Sequence, residues 1–223
     1  MSMSRTLGAV GALSVLVLTG CGAVQPGTAV EVGDDSIALS EVDEVASDFC
    51  SAIEPQLEAQ PQSIPNSYLR GGIAGTLALR SVAEQVAAEH GVEADSQRYQ
   101  EAVRELRTNV EPVPEEFRES VIEVESAPQY VEAIQAAVGE QELDGQGEYE
   151  EFVAAGSEVF TDWIAENGVE FDPALNTELK DGAISTVDGS VSFAVSEAAR
   201  NGLAAEPNGA LARQLPDAHR CGR

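Results

Sequence analysis

The sequence predicts a mostly α-helical chain with a small β-sheet, an α+β fold. About six helices should form the body, and an N-terminal hairpin should pair with strands near the C-terminus. Three observations carry this expectation. Segments rich in β-branched residues and bounded by Gly/Asp turns occur at both ends, VEVGDDSIAL at Val30–Leu39 and AISTVDGSVSFAV at Ala183–Val195. Between them, apolar residues recur at helical spacings of three and four. A two-stranded hairpin is marginal alone in water, so the first one needs a further strand.

The first residues bear on compartment. Met1–Arg5 is a short polar start, and Thr6–Gly20 is an apolar run of secretory length, too short and Gly-rich for a transmembrane span. It ends in Leu18-Thr19-Gly20-Cys21, the pattern of a bacterial lipobox. Residues 1–20 are therefore expected to be a lipoprotein signal peptide, with Cys21 lipidated. A thioether-linked diacylglycerol, plus acylation of the freed α-amine by a chain such as palmitate, gives the two or more chains that stable anchoring needs. The alternative is an ordinary signal peptide with an incidental Cys. Residues 21–28 then form a linker reaching about 25 Å at most, which holds the domain beside the extracytoplasmic face of the bacterial cell membrane. There is no second long apolar run, so the chain is expected to be anchored rather than spanning.

Cysteine parity agrees. Of three cysteines, lipidation of one leaves Cys50 and Cys221, an even pair in an oxidising compartment. A Cys50–Cys221 disulfide is expected, worth about 5 kcal/mol in the chain-entropy limit; two reduced buried thiols are the alternative. Charge is lopsided, with 39 Asp plus Glu against 12 Lys plus Arg and a net charge of −27. Such a field disfavours nucleic acid and anionic membrane surfaces and favours basic partners. It equally suits a solubilising surface, and a single lysine, Lys180, among the basic residues fits that reading.

Along the chain, Ala29–Val32 and Ser36–Leu39 flank the turn Gly33-Asp34-Asp35. Ser40–Asp43 resembles a capping box that starts a helix over Glu41–Glu58, with Val42, Val45, Phe49 and Ile53 as its apolar stripe and Cys50 beside it. Pro55, Pro61 and Pro65 are read as breaks. A second helix over Asn66–His90, stopped by Gly91, is the most hydrophobic and should be central. Its Gly71, Gly72 and Gly75 either weaken it or let another element approach closely. Asp95 is expected to cap a third helix, Ser96–Thr108. A fourth, Glu115–Glu125, should end at Ser126-Ala127-Pro128, where a fifth begins over Gln129–Val138. Gly139–Gly147 reads as an acidic loop, and a sixth helix covers Glu148–Asn167. Gly168–Asp172 looks like a strand. Ala183–Val187 and Ser190–Val195 look like a hairpin about Asp188-Gly189, and Ser196–Asn201 a short helix before an irregular tail. The N-terminal hairpin should pair near Val169–Phe171 or Ala183–Val195.

Chemistry is sparse. His90 sits where a helix should end, which suits partial positive charge. His219 lies near Cys221, but a disulfide would remove the thiolate that a Cys–His pair needs. No G-x-S-x-G, P-loop, C-x-x-C or H-E-x-x-H is present. Asp34-Asp35 and GEQELDGQG lack EF-hand spacing and read as solvated acid. No catalytic residue, metal or cofactor is expected. Tyr68, Phe117, Tyr130 and Trp163 are candidates for lining a groove that takes extended apolar peptide.

The stretch TAVEVGDDSIALSEVDEV, running from one strand through a turn and a second strand into a helix, resembles the start of the N-terminal domain of the SurA/PrsA class of envelope chaperones and foldases. The resemblance covers residues 29–172, with residues 173–223 as a C-terminal β or irregular extension packed on the same domain. It implies holdase-like binding of unfolded or exported polypeptides. Foldases of this class usually carry a parvulin-type prolyl isomerase domain. The segment after Asn167 is too short for one and holds a single His, so isomerase activity is not expected. The alternative is a non-catalytic docking lipoprotein with one dedicated envelope partner.

Overall fold

The computed structural model describes residues 25–180, 182–187 and 195–222. The leader, Cys21 and most of the strand expected after Asp188-Gly189 lie outside them. Helices dominate and the strands form small antiparallel sheets, as the sequence predicts.

Strands β1 (Thr28–Val32) and β2 (Asp35–Ala38) form the expected hairpin, with Val30 opposite Ile37. Its turn needs glycine twice over. Gly33 has φ +54°, and a Cβ there would come within 2.9 Å of Trp163. Strand β4 (Val169–Phe171) pairs with the other edge of β1, with Val30 opposite Phe171, so the order is β2-β1-β4. Alternation turns Val30, Val32 and Ile37 into the core.

Helix α1 (Leu39–Ala59) leaves β2 without a linker. The expected capping box does not form, because the helix has already begun by Ser40. The cap is Ala38, with no side-chain cap bond, and the Leu39 N–H donates instead to the Gly27 carbonyl at 2.8 Å. Asp43 is turned to Arg70 at 2.6 Å. Pro55 does not break the helix but lies within it. One lost helical bond is offset by the buried face of Val42, Val45 and Ala46 and by the covalent tie at Cys50.

Helix α2 (Asn66–His90) has the expected bounds and ends at Gly91 in the left-handed conformation. Helix α3 (Gln97–Asn109) is capped by Ser96, not Asp95; the Ser96 hydroxyl accepts from the Tyr99 N–H. Helix α3 buries none of its residues.

The largest departure is α4. It runs unbroken over Glu115–Glu142, through Pro128, where the sequence suggests two helices and a loop. Ser126, Ala127, Ala133, Ile134 and Val138 are all buried along it, and that packing outweighs the bond Pro128 cannot make. Gly139 belongs to the helix for a steric reason. Helix α5 (Tyr149–Asn167) opens on a Glu148–Glu151 capping box and crosses α4 at backbone contact. A Cβ on Gly139 would strike the Phe152 carbonyl, and one on Gly156 the Gln135 carbonyl.

The tail is more ordered than expected. Strands β5 (Thr177–Lys180) and β6 (Ala183–Thr186) form a hairpin, with Leu179 opposite Ile184. Ala183–Thr186 therefore pairs upstream, across Gly182 (φ +73°). Short helices α6 (Glu197–Gly202) and α7 (Gly209–Ala212) come next. They are capped by Ser196 and Asn208. Strand β7 (Arg220–Cys221) then pairs with β3 (Ile64–Pro65). The segment before Cys221 is thus not irregular: α7 lies against β3, and β7 and the single turn Asp217–His219 lie against α2. Cys50 and Cys221 are disulfide-bonded, with Cα atoms 5.6 Å apart and a sequence separation of 171.

Both the α4–α5 crossing and the disulfide can be tested by substitution. Gly139→Ala or Gly156→Ala should lower the unfolding free energy by about 3 kcal/mol, seen as a clear fall in Tm by circular dichroism, because backbone cannot yield as a flexible side chain can. Replacing both Cys50 and Cys221 by Ala should cost about 2–5 kcal/mol in a denaturant titration while leaving helical content intact.

Candidate functional site

The N-terminal half of α2 is built for close approach. Gly71 and Gly75 lie one helical turn apart. A Cβ on Gly75 would sit 2.7 Å from Ile184, and one on Gly71 would run into Thr177 and the Leu175 carbonyl. The β5–β6 hairpin is thereby seated directly on the helix. Gly72 is different: a Cβ there would meet nothing within 4 Å.

Gly72 opens into a cleft of about 540 Å³. Its floor is Tyr68, Leu69, Gly72, Ile73 and Thr76 of α2. Phe49 of α1 and Val124 of α4 form one wall, and Ile184, Ser185 and Thr186 of β6 the other. Ile64 and Ala205 line it too, and among the described residues none that lines it is charged, although 23% of the chain is Asp, Glu, Lys or Arg. A second hollow of about 330 Å³ shares Thr76 and Ile184 and runs over Leu79, Val131 and Val153, with Glu132 and Gln135 at its lining. Tyr68 and Ile184 stay 37% and 40% exposed, high values for large apolar side chains beside a cleft.

No protein-family model matches the chain. No curated protein and no solved structure matches it either. The site is therefore read from its own chemistry. Aliphatic, aromatic and hydroxyl groups suit an uncharged guest. Among the described residues no group of three or more His, Cys, Asp or Glu side chains is placed to hold a metal ion. Among them, no helix is long and apolar enough to cross a membrane.

Of the four aromatics proposed from the sequence, the cleft takes only Tyr68. Trp163 is buried, its indole N–H donating to Glu89 at 2.9 Å. Tyr130 packs edge-on against Tyr99 at 5.8 Å with the Arg80 guanidinium over its ring. Phe117 is half-buried in the first turn of α4 and does not line the cleft. The residues missed are Leu69, Ile73, Val124 and Ile184, together with Phe49, which the sequence assigned to a core stripe. Their one advance signal was the glycine run of α2.

Beside Val124, Glu123 is half-buried. Burial pushes its carboxyl above the usual range; Arg80 opposes this, and Glu41 and Glu84 add to it. A raised folded-state value means that the protonated form is favoured on folding. Any stability this adds is complete below the ordinary glutamate value of about 4.3 and is lost as pH rises through the folded-state value. Glu123→Gln should therefore raise Tm modestly at pH 7, with the gain shrinking to nothing near pH 4, in parallel melts of the two proteins.

Proposed function

We propose that this protein is a membrane-anchored extracytoplasmic lipoprotein that holds exported, incompletely folded polypeptide, without prolyl isomerase chemistry. The observation that carries the reading is the cleft on α2, whose described lining is uncharged in an acidic chain. The lipobox supports the location, and the hairpin-into-helix start resembling the SurA/PrsA N-terminal domain supports polypeptide as the guest.

The magnitudes suit transient holding. Burying two or three aliphatic side chains gains about 1.5–3 kcal/mol each. Ordering the guest and losing its free motion offsets much of that. The net affinity is weak, which lets a client leave to fold. The acidic exterior keeps the complex soluble and steers basic segments toward it.

Aggregation suppression tests this with the chain from Gly22 onward, which keeps every described residue. Two denatured clients, one acidic and one basic, are diluted in at low and at physiological salt. Both should be protected near stoichiometric ratio and at both salts. Protection of the basic client alone, lost with salt, would reduce the activity to surface charge; protection of neither would leave a dedicated docking role.

Gly72→Leu is the sharper variant. It puts a side chain into open cleft space and replaces glycine inside a helix, so stability should rise by about 0.8 kcal/mol. Client protection should fall at the same time, and such opposite changes separate cleft binding from general stickiness.

A further inference from the structure

We propose that the Cys50–Cys221 disulfide is a thiol-responsive latch: a dithiol that reduces it frees the C-terminal segment from the start of α2 and loosens the cleft's hold on a guest. The guest's part in this rests on the polypeptide-holding reading; the freeing of the segment does not.

Residues 202–222 are strapped across residues 61–67, the connection from α1 to α2. The Ser63 N–H donates to the Gly209 carbonyl at 3.2 Å, and the Ser63 hydroxyl to the Gly222 carbonyl at 3.2 Å. The Asn66 side chain donates to the Ala218 carbonyl at 3.0 Å, and the Ser67 hydroxyl to the Gly202 carbonyl at 3.4 Å. Arg213 donates to the Pro61 carbonyl at 3.3 Å. Strand β7 adds a short ladder, Ile64 with Cys221 and Pro65 with Arg220.

Apolar burial adds little to this strap. Among its described residues, Ala212 and Cys221 are the buried apolar side chains, while Leu203, Leu211 and Leu215 keep part of their surface in solvent. A segment with few buried apolar contacts lies at the low-stability end of a fold and opens locally. Its hydrogen bonds add modestly against the entropy of ordering it. The disulfide makes up the difference, because it keeps the end of the strap at α1 when those bonds part.

The bridge is placed where the cleft feels it. Phe49 precedes Cys50, Ile64 is the ladder partner of Cys221, and both line the cleft. The strapped residues 61–67 run directly into Tyr68 and Leu69 of its floor. The N-cap of α2, Pro65, supplies no side-chain cap bond, so the strap is what steadies the first turn. Once the strap leaves, that turn frays and a guest must pay to order Tyr68 and Leu69 again.

The chemistry is thiol–disulfide exchange. Cys221 is buried, whereas Cys50 keeps part of its surface in solvent. A thiolate of the dithiol attacks the Cys50 Sγ, the S–S bond breaks, and Cys221 leaves as a thiolate that takes up a proton. The second thiol then attacks the mixed disulfide, releases Cys50 as a thiol and closes the disulfide of the reductant. Two electrons pass to the protein and the dithiol is oxidised.

The test uses the chain from Gly22, which holds no other cysteine. It is treated with dithiothreitol, and reduction is confirmed by the mass added on alkylation. Amide hydrogen exchange should speed up by about tenfold or more at residues 61–68 and 202–222, while the buried middle of α2, residues 74–87, stays within about twofold. Suppression of aggregation of a denatured, cysteine-free client should weaken by about fivefold or more in parallel. Oxidised dithiothreitol should restore both. The Cys50→Ala, Cys221→Ala double variant should behave as the reduced chain at either redox state.

A disulfide that resists dithiothreitol in the folded chain overturns the latch. So does full reduction with exchange at residues 61–68 unchanged. A strap that loosens while client protection holds also overturns it and spares the holdase reading. Absence of protection by the oxidised chain removes that reading, and the release of a guest with it.

Discussion

How closely its neighbours can approach α2 governs the rest of the fold. Ala74, Ala78, Ala83 and Ala87 are buried around it and let α1, α4, α5 and the first sheet pack close. Gly71 and Gly75 admit the β5–β6 hairpin to the helix backbone. Each glycine in a helix interior costs about 1 kcal/mol relative to alanine. For Gly71 and Gly75 the seated hairpin offsets that cost. No contact within the described chain accounts for Gly72, and that unexplained cost is the physical link between the fold and the proposed binding role.

The ends of the chain hold this arrangement in place. At the C-terminal half of α2, Gln85 donates to the Val32 carbonyl at 2.9 Å and ties the helix to the three-stranded sheet. At its N-terminal half, β7 pairs with β3 and the Cys50–Cys221 bond fixes that pairing to α1. Ile64 of β3 and Phe49, one residue from Cys50, both line the cleft. The disulfide thus holds parts of the cleft at fixed positions before any guest arrives, which lowers the ordering cost of binding.

Much of this was legible in the sequence, and the failures share one cause. The stripe of α2 and its glycine stop gave its bounds, and the Gly/Asp turn gave the first hairpin. Cysteine parity gave the disulfide. Pro55 and Pro128 read as breaks because a local pattern shows the bond a proline loses but not the packing that compensates it. Gly139 read as loop for the same reason: the α5 backbone it faces is distant in sequence. The expected turn at Asp188-Gly189 lies outside the described residues; within them β6 pairs with β5 across Gly182, seated on Gly71 and Gly75, and no local signal records that seating. Tyr68 was found in the cleft, whereas Trp163 and Tyr130 are held elsewhere by Glu89, Tyr99 and Arg80. Aromatic content alone cannot separate the two cases.

The most direct test of the central claim is hydrogen exchange with and without a denatured client at saturating ratio. Slowed exchange should concentrate on the residues that line the cleft, Ile184–Thr186 of β6 and the first turns of α2 around Tyr68 and Gly72. Protection spread over the acidic faces of α3 and α4, with β6 unchanged, would contradict the claim that the cleft on α2 is where this protein binds.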